Sequence, residues 1–245
     1  MKPMNRLGLI FFLVCVSVAG KAATSLPRNL DQSDRVRALQ ILGFGSASKI
    51  LDNPYPLGGY SGIEIGVSSE FIPVEDLSSL GNKTTDKGEF NYYTLTLGKG
   101  LYYNIDTHLY FTPFNQTEEI QSYGGQVRWG FYEAGFFPLS LSAVLSAGGA
   151  NFSNLINVTT LGADIVATVA MDNVAIYFGV GQARATGKFI GGPNGITDTQ
   201  ETLTEEAAEG HTVFGLNVDV AKMFLALEID RYNDSIYSGK IGFRF

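Results

Sequence analysis

The sequence predicts an all-β fold: a closed, antiparallel, up-and-down barrel of about ten strands that crosses a bilayer, with a short helical or irregular segment before it. Eight or twelve strands are the alternative counts. Three observations lead there. Apolar residues recur at every second position in ribbons along residues 59–245, and a period of two gives strands with one apolar and one polar face. The apolar face carries no charge. Short connections alternate with longer polar ones, as in barrels with tight turns at one end and loops at the other.

The chain begins with an export pattern. Lys2 and Arg6 form a basic region ahead of Leu7–Ala19, an apolar run of 13 residues that is too short to span a bilayer as a helix. Gly20, Lys21, Ala22 and Ala23 follow, with cleavage expected after Ala22 or Ala23. Residues 1–23 therefore read as a signal peptide and are left out of the fold. The alternative, a lipoprotein signal at Cys15, is opposed by Val14, which stands where a small residue is wanted.

Cys15 is the one cysteine in the chain, so the mature part offers neither a disulfide framework nor a thiolate metal site. Without Lys2, Arg6 and Lys21 it carries 14 basic against 24 acidic residues. That balance argues against nucleic acid as a partner, which wants a basic footprint. No apolar run of 18 or more follows the signal, so only a closed barrel could pair every backbone group within a bilayer.

Residues 24–58 form a leader. Ser33 or Asp34 is placed to cap a helix over Arg35–Leu42, with Val36, Leu39 and Leu42 on one side. Gly43 and Gly45 weaken that helix, and Asn53-Pro54-Tyr55-Pro56 ends the segment. A leader packed against the barrel base is favoured over a plug inside the lumen, since a short amphipathic segment has many uses.

The expected strands are 59–72, 89–99, 102–113, 120–132, 137–149, 155–170, 174–187, 210–220, 223–231 and 235–245. Residues 100–101, 133–136, 171–173 and 221–222 read as tight turns, and 73–88 and 188–209 as long polar loops. Residues 114–119, 150–154 and 232–234 are shorter polar connections. Ala221-Lys222 lacks turn residues and is a weak joint. An even count puts both chain ends on one side. The apolar parity (Ile63, Ile65 and Val67 through Val218 and Leu227) is assigned outward. The opposite parity holds Glu64, Asp106, His108, Arg128, Asp164, Asn217, Asp219, Glu228, Asp230, Lys240 and Arg244, the expected polar lumen. Phe111, Tyr123, Phe214, Tyr232 and Tyr237 would form one aromatic band. Tyr102, Tyr103, Trp129, Phe131, Tyr132, Phe224, Phe243 and Phe245 would form the other.

The last eleven residues, SIYSGKIGFRF, place Tyr237, Ile241, Phe243 and the terminal Phe245 on one face. This ending resembles the closing strand of bacterial outer-membrane β-barrels. The resemblance implies a porin-like membrane protein of the Gram-negative outer membrane, in contact with its lipid. It also implies that these four residues are a signal read by the barrel assembly machinery. No subfamily is indicated.

Within that class a narrow channel or small-solute transporter is expected, because six acids against three bases on the inward parity bias the lumen toward cations. The alternative is a non-conducting surface barrel that binds an extracellular partner through residues 73–88 and 188–209. An outer-membrane hydrolase comes third. His108 shares a face with Asp106, and His211 lies where the loop enters a strand near Glu205, Glu206 and Glu209. The bland reading of both, hydrated polar side chains, is preferred. No nucleophile elbow, HExxH, P-loop or EF-hand pattern is present. No catalytic residue, metal ligand or cofactor is assigned.

Overall fold

The computed structural model describes residues 26–84, 89–113 and 120–245; the expected signal peptide and residues 114–119 lie outside them. Ten strands close one antiparallel barrel: β1 (Ile63–Pro73), β2 (Glu89–Gly100), β3 (Ile105–Phe111), β4 (Ile120–Glu133), β5 (Leu139–Phe152), β6 (Ile156–Met171), β7 (Val174–Phe189), β8 (Leu203–Val220), β9 (Met223–Arg231) and β10 (Ser235–Arg244). Each strand pairs with its neighbours in sequence, and β10 pairs with β1. The aromatic C-terminal strand is thus the closing strand. Ile65 faces Phe243, Val67 faces Ile241, and Ile63 and Phe245 exchange backbone bonds of 3.1 and 2.9 Å.

The eighth strand begins at Leu203 rather than 210, and the connection before it shrinks to residues 190–202. Gly, Glu and Thr in 203–210 read as loop in isolation. Their backbone nevertheless continues the β7 ladder from Phe189↔Leu203 to Gln182↔Gly210. The weak joint at Ala221-Lys222 is a true turn, made by Ala221 at φ 58°, a left-handed conformation costing a residue with a Cβ roughly 1–2 kcal/mol.

One helix, α1 (Gln32–Gly45), precedes the barrel. Its cap is Asp31, two residues before Ser33 and three before Asp34, the caps the sequence suggests. The Asp31 carboxylate accepts from the Asp34 N–H at 2.9 Å and the Ser33 hydroxyl at 2.7 Å, and these bonds, the backbone one foremost, hold its pKa below the usual carboxylate value. The two glycines that weaken the helix on paper are where it touches the wall. A Cβ on Gly45 would run into Ile72, and one on Gly43 would press on Ala185 and Leu39. Helix and wall approach closely because the side chains are missing.

The leader does not sit at the barrel base. α1 lies inside the long-loop end, packed on β1, β6, β7 and β8, with Leu39, Leu42 and Phe44 fully buried. Residues 46–58 then descend through the lumen to the start of β1 at the short-turn end. The ends of the barrel proper, Ile63 and Phe245, meet at that short-turn end. The leader nevertheless starts at the opposite one. Leu30 N–H donates to Ile196 O at 2.9 Å, and Arg28 bonds Asn82 through two contacts of 2.8 and 2.9 Å. From Ala38 to Gly45 the helix is buried on nearly every side, and the upper barrel is lined with apolar side chains that receive it.

That lining reverses the expected polarity. Near the short turns the outward face is apolar and the inward face polar. Nearer the loops the same strands invert. On β7, Val174, Ile176, Phe178 and Val180 point outward and give way to Gln182, Arg184, Thr186 and Lys188. The inward positions there become Ala183, Ala185, Gly187 and Phe189. Ile72, Phe90, Ile120, Phe152, Ile156, Val158 and Phe189 form one buried cluster with α1. Two expected band aromatics also turn inward: Tyr232 and Phe224 are buried, because both fall on the even parity of β9 and its extension.

Candidate functional site: the sealed lumen

The leader runs through the barrel as a strap, tied to the wall at three levels. At the top, Arg35 reaches Asp198 at 3.0 Å, Glu205 at 2.9 Å and the Leu30 carbonyl at 2.9 Å. Arg37 bridges Asp76 at 2.6 Å and Asp234 at 3.1 Å. These pairs tie the helix to the rim formed by the residues around 76, 198 and 234. At the C-terminal end of α1, the Lys49 ammonium donates to the carbonyls of Phe44, Gly45 and Ala47 at 3.4, 3.2 and 2.6 Å. A cation there satisfies the carbonyls the helix leaves open.

The middle level carries the tightest attachment. Glu228 on β9 accepts the backbone N–H groups of Ile50 at 2.9 Å and Leu51 at 2.7 Å, and the Tyr177 hydroxyl at 2.5 Å. Asp52 pairs with Arg128 on β4. The same guanidinium donates to the Ile50 carbonyl at 2.6 Å and to Gln126 at 2.8 Å, and Gln126 donates to Ser48 at 2.6 Å and Lys49 O at 2.5 Å. Strap carbonyls and N–H groups are thus satisfied by wall side chains, as a non-strand segment inside a barrel requires.

At the lowest level, Asp106 accepts the Leu57 N–H at 2.8 Å, and the Tyr55 hydroxyl donates to Glu133 at 2.5 Å. That bond to a carboxylate pushes the Tyr55 phenol up to about 12. Beside it, Glu64 receives Lys240 at 2.5 Å and Arg244 at 2.9 Å, and Arg244 continues to Asp219 at 2.9 Å and Asn217 at 3.4 Å. Phe224 lies under this group, with Arg244 4.1 Å from its ring centre, a cation–π contact.

All eleven residues expected in the lumen have their side chains inside the barrel. Glu64, Asp106, His108, Arg128, Asn217, Glu228, Asp230 and Lys240 are buried, and Asp164, Asp219 and Arg244 are half-buried. They bond the strap and one another. His108 does not pair with Asp106; its Nδ1 faces Asp52 and Glu64, each at 3.8 Å. His211 is not a rim residue beside the loop glutamates. It sits in β8, 2.7 Å from Asp164 and 3.8 Å from Asp230, stacked on Tyr232 at 4.4 Å, which in turn stacks on Phe44 of α1 at 5.0 Å. Tyr237, Ile241, Phe243 and Phe245 lie on the outer surface of the closing strand and its end.

Asp52, Glu64 and His108 bring ligand atoms within 4.8 Å of one another. The Lys240 ammonium already stands among them, 2.5 Å from Glu64 and 3.7 Å from Asp52, so a protein cation supplies the charge a metal would bring. Cavities of about 20 and about 10 Å³ lie between strap and wall, each room for roughly one water. Reading the sequence missed Asp52, Lys49 and Gln126. Asp52 had no parity to place it, and its one signal was an acid following Ile50-Leu51 in an otherwise polar linker.

No family model matches the chain, and no curated protein matches it. Solved bacterial outer-membrane barrels are among the structures it is similar to, at low identity. The N-terminal β-barrel domain of Pseudomonas aeruginosa OprF is 11% identical with a TM-score of 0.40, over 76% of this chain and 99% of that one. Ail, the attachment invasion locus protein of Yersinia pestis, is 15% identical with a TM-score of 0.30, over 75% and 97%. Neisserial surface protein A is 9% identical with a TM-score of 0.28, over 78% and 96%. Likenesses this distant carry no argument, and fold and function alike are read from the chain's own residues.

Proposed function

We propose that this protein is an integral outer-membrane barrel sealed by its own N-terminal segment, which conducts little and works through the face it presents at its long-loop end. The observation that carries the reading is the strap through the lumen, held by Glu228, Arg128 and Asp106. Membrane insertion is supported by the outward band of Ile65, Val67, Leu97, Val127, Leu145, Ile165, Phe178, Phe214 and Leu227, which leaves bulky apolar side chains uncovered by protein. A continuous belt of that kind needs an apolar surrounding. Aromatics flank it, with Tyr123 and Tyr237 on the loop side and Trp129 and Phe243 on the turn side. With its lumen filled, the barrel offers the loop end to partners: residues 26–31, 74–84 and 190–202 form one joined cap. A non-catalytic role fits His108 and His211, which are enclosed between strap and wall.

Two measurements test this. In planar bilayers the purified protein should be near silent, while the double substitution Asp52→Asn with Glu228→Gln should give frequent channel steps. Steady steps from the unaltered protein would sink the sealed reading and restore the narrow channel. Single cysteines at Asn29, Gln200 and Phe136 should then be probed on intact cells with a membrane-impermeant maleimide. Asn29→Cys and Gln200→Cys should react at once and Phe136→Cys only after permeabilisation; equal reaction at all three would defeat the outer-membrane orientation.

A further inference from the structure

The wall of the barrel is notched at its long-loop end. β8 pairs with β7 from Leu203 onward but with β9 from Thr212 onward. β9 stops at Arg231, and residues 232–234 turn the chain into β10. On the far side of the notch, β1 runs past its last partner in β10, at Phe71↔Tyr237, by Ile72 and Pro73 alone. The opening is therefore one-sided, with a long bare edge on β8 and almost none on β1. α1 stands behind it, where Arg35 reaches Glu205 at 2.9 Å and Arg37 reaches Asp234 at 3.1 Å.

Strand parity shows which groups the notch leaves bare. The Asp219 N–H donates to Asn173 O, just before β7, at 2.8 Å. The N–H and C=O of one strand residue point to the same side, and successive residues alternate. Both registers of β8 run without a shift. Odd residues of β8 therefore bond β7, and even residues turn toward the side of β9. Above Thr212 the even residues are Thr204, Glu206, Ala208 and Gly210. Among the described residues, nothing bonds their N–H or C=O on that side. All four are exposed. For Gly210 that is exposure of the backbone itself, and a Cβ there would meet Gly181 O at 3.8 Å.

The bare stretch stands above the lipid belt. Phe214, Ile229 and Tyr237 share one row of the ladder, and Tyr237 belongs to the loop-side aromatics. Gly210 lies beyond Phe214 on β8. From Gly210 to Thr204 the edge runs on for roughly 20 Å, at about 3.3 Å per residue.

An unpaired edge of this length is a template for another strand, and proteins guard such edges with charge. Here the guard selects. Glu205 and Glu206 are paired with Arg35 and Arg184. Glu209 has no cation within ion-pair distance among the described residues. Its carboxylate accepts the Asn233 N–H at 3.3 Å and Nδ2 at 2.6 Å, at the foot of the notch. That charge disfavours an acidic strand, or a second copy bringing the same glutamate, and favours a cation directly across.

We propose that the edge of β8 from Thr204 to Gly210 receives an extended segment of a partner protein. The segment runs antiparallel to β8 along the line of β9, with a lysine or arginine beside Glu209. In strand addition, main-chain bonds supply affinity and alternate side chains supply choice. The proposal deepens the reading of the loop end as the working face and rests on it for access from outside the cell.

Amide exchange on the full chain in detergent, read by NMR, tests it. Two end-blocked nine-residue peptides of alternating threonine and valine serve as ligands, one with a central lysine and one with a central glutamate. Without peptide, the amides of Glu206, Ala208 and Gly210 should exchange at least tenfold faster than those of Glu205, Ala207 and Glu209, which bond β7. The lysine peptide should slow the even set at least tenfold and leave the odd set unchanged. The glutamate peptide should bind about fivefold more weakly, the scale of an exposed charge pair, and Glu209→Gln should remove that difference. N-methylation of the lysine peptide at alternate residues should abolish binding for one parity and spare it for the other. Ala208→Pro, which an edge tolerates because the lost N–H bonds nothing, should lose the peptide while the barrel keeps its heat-modifiable gel migration. Even amides already protected in the free chain, or peptide binding unaffected by Ala208→Pro, would overturn strand addition. Protection that grows with protein concentration alone would overturn it too and assign the edge to a second copy. The cysteine labelling at Asn29 and Gln200 on intact cells separates the two readings. With that labelling intact, a failed peptide defeats strand addition alone; without it, the outward-facing loop end falls as well.

Discussion

The two halves of this barrel are built on opposite plans. Near the short turns the wall is apolar outside and polar inside, and its interior is held by charged groups: Asp52 on Arg128, Glu64 on Lys240 and Arg244. Near the loops the wall is polar outside and apolar inside, and α1 fills it as a core helix would fill a water-soluble domain. The same strands make both. The difference shows that strand parity sets which face a residue takes, while the surroundings at each height decide which face is apolar.

The largest expected effect comes from the charged half. Asp52→Ala leaves Arg128 buried without its carboxylate, and removing one partner of a buried pair typically costs about 3–5 kcal/mol. The urea midpoint of the folded barrel should fall accordingly, with channel steps appearing as the strap loosens. In the apolar half, Leu39→Ala empties a fully buried site and should cost about 2–5 kcal/mol, without opening the lower lumen. Equal conductance from both variants would erase the distinction between the halves.

The boundary between the plans is sharpened by two arginine substitutions on the outer surface. Leu227→Arg puts a charge in the apolar band and should cost about 2–4 kcal/mol. Thr186→Arg, outward on β7 but above the band, should stay within about 0.5 kcal/mol of the unaltered protein. If both cost the same in refolding titrations into lipid vesicles, the height of the boundary is wrong. Smaller still is the helix cap. Asp31→Ala should fray the first turn of α1, read as faster amide exchange at Asp34. The Asp31 carboxyl titrates below its ordinary value in the folded chain. Its contribution is therefore present above the ordinary carboxylate range and is lost as pH falls through the lowered folded value.

Much of the barrel was legible in the residues. Ile65, Val67, Phe243 and Leu227 point outward, as their alternation indicates, and the expected strands overlap the observed ones. The aromatic end lies on the closing strand because alternation there runs unbroken to Phe245. The beginning of β8 was illegible, since Thr204, Glu205, Glu206 and Glu209 carry loop composition and gain strand form by pairing with β7. Tyr232 and Phe224 were misplaced because an aromatic residue near a strand end suits a membrane interface and a stacked interior equally well. The site itself was half visible. Glu228, Arg128 and Asp106 were found as inward polar residues, but their partners Ile50, Leu51, Asp52 and Leu57 lie in a segment with no periodicity to read.

By itself, the sequence determined the strands, their parity and the closing ribbon, because a period of two is a local property of consecutive residues. The tertiary structure alone decided that the leader passes through the barrel and that polarity inverts along the wall. Both depend on contacts between residues more than a hundred positions apart, such as Glu228 with Leu51 and Arg35 with Glu205. No local pattern encodes the distance or direction of such a contact.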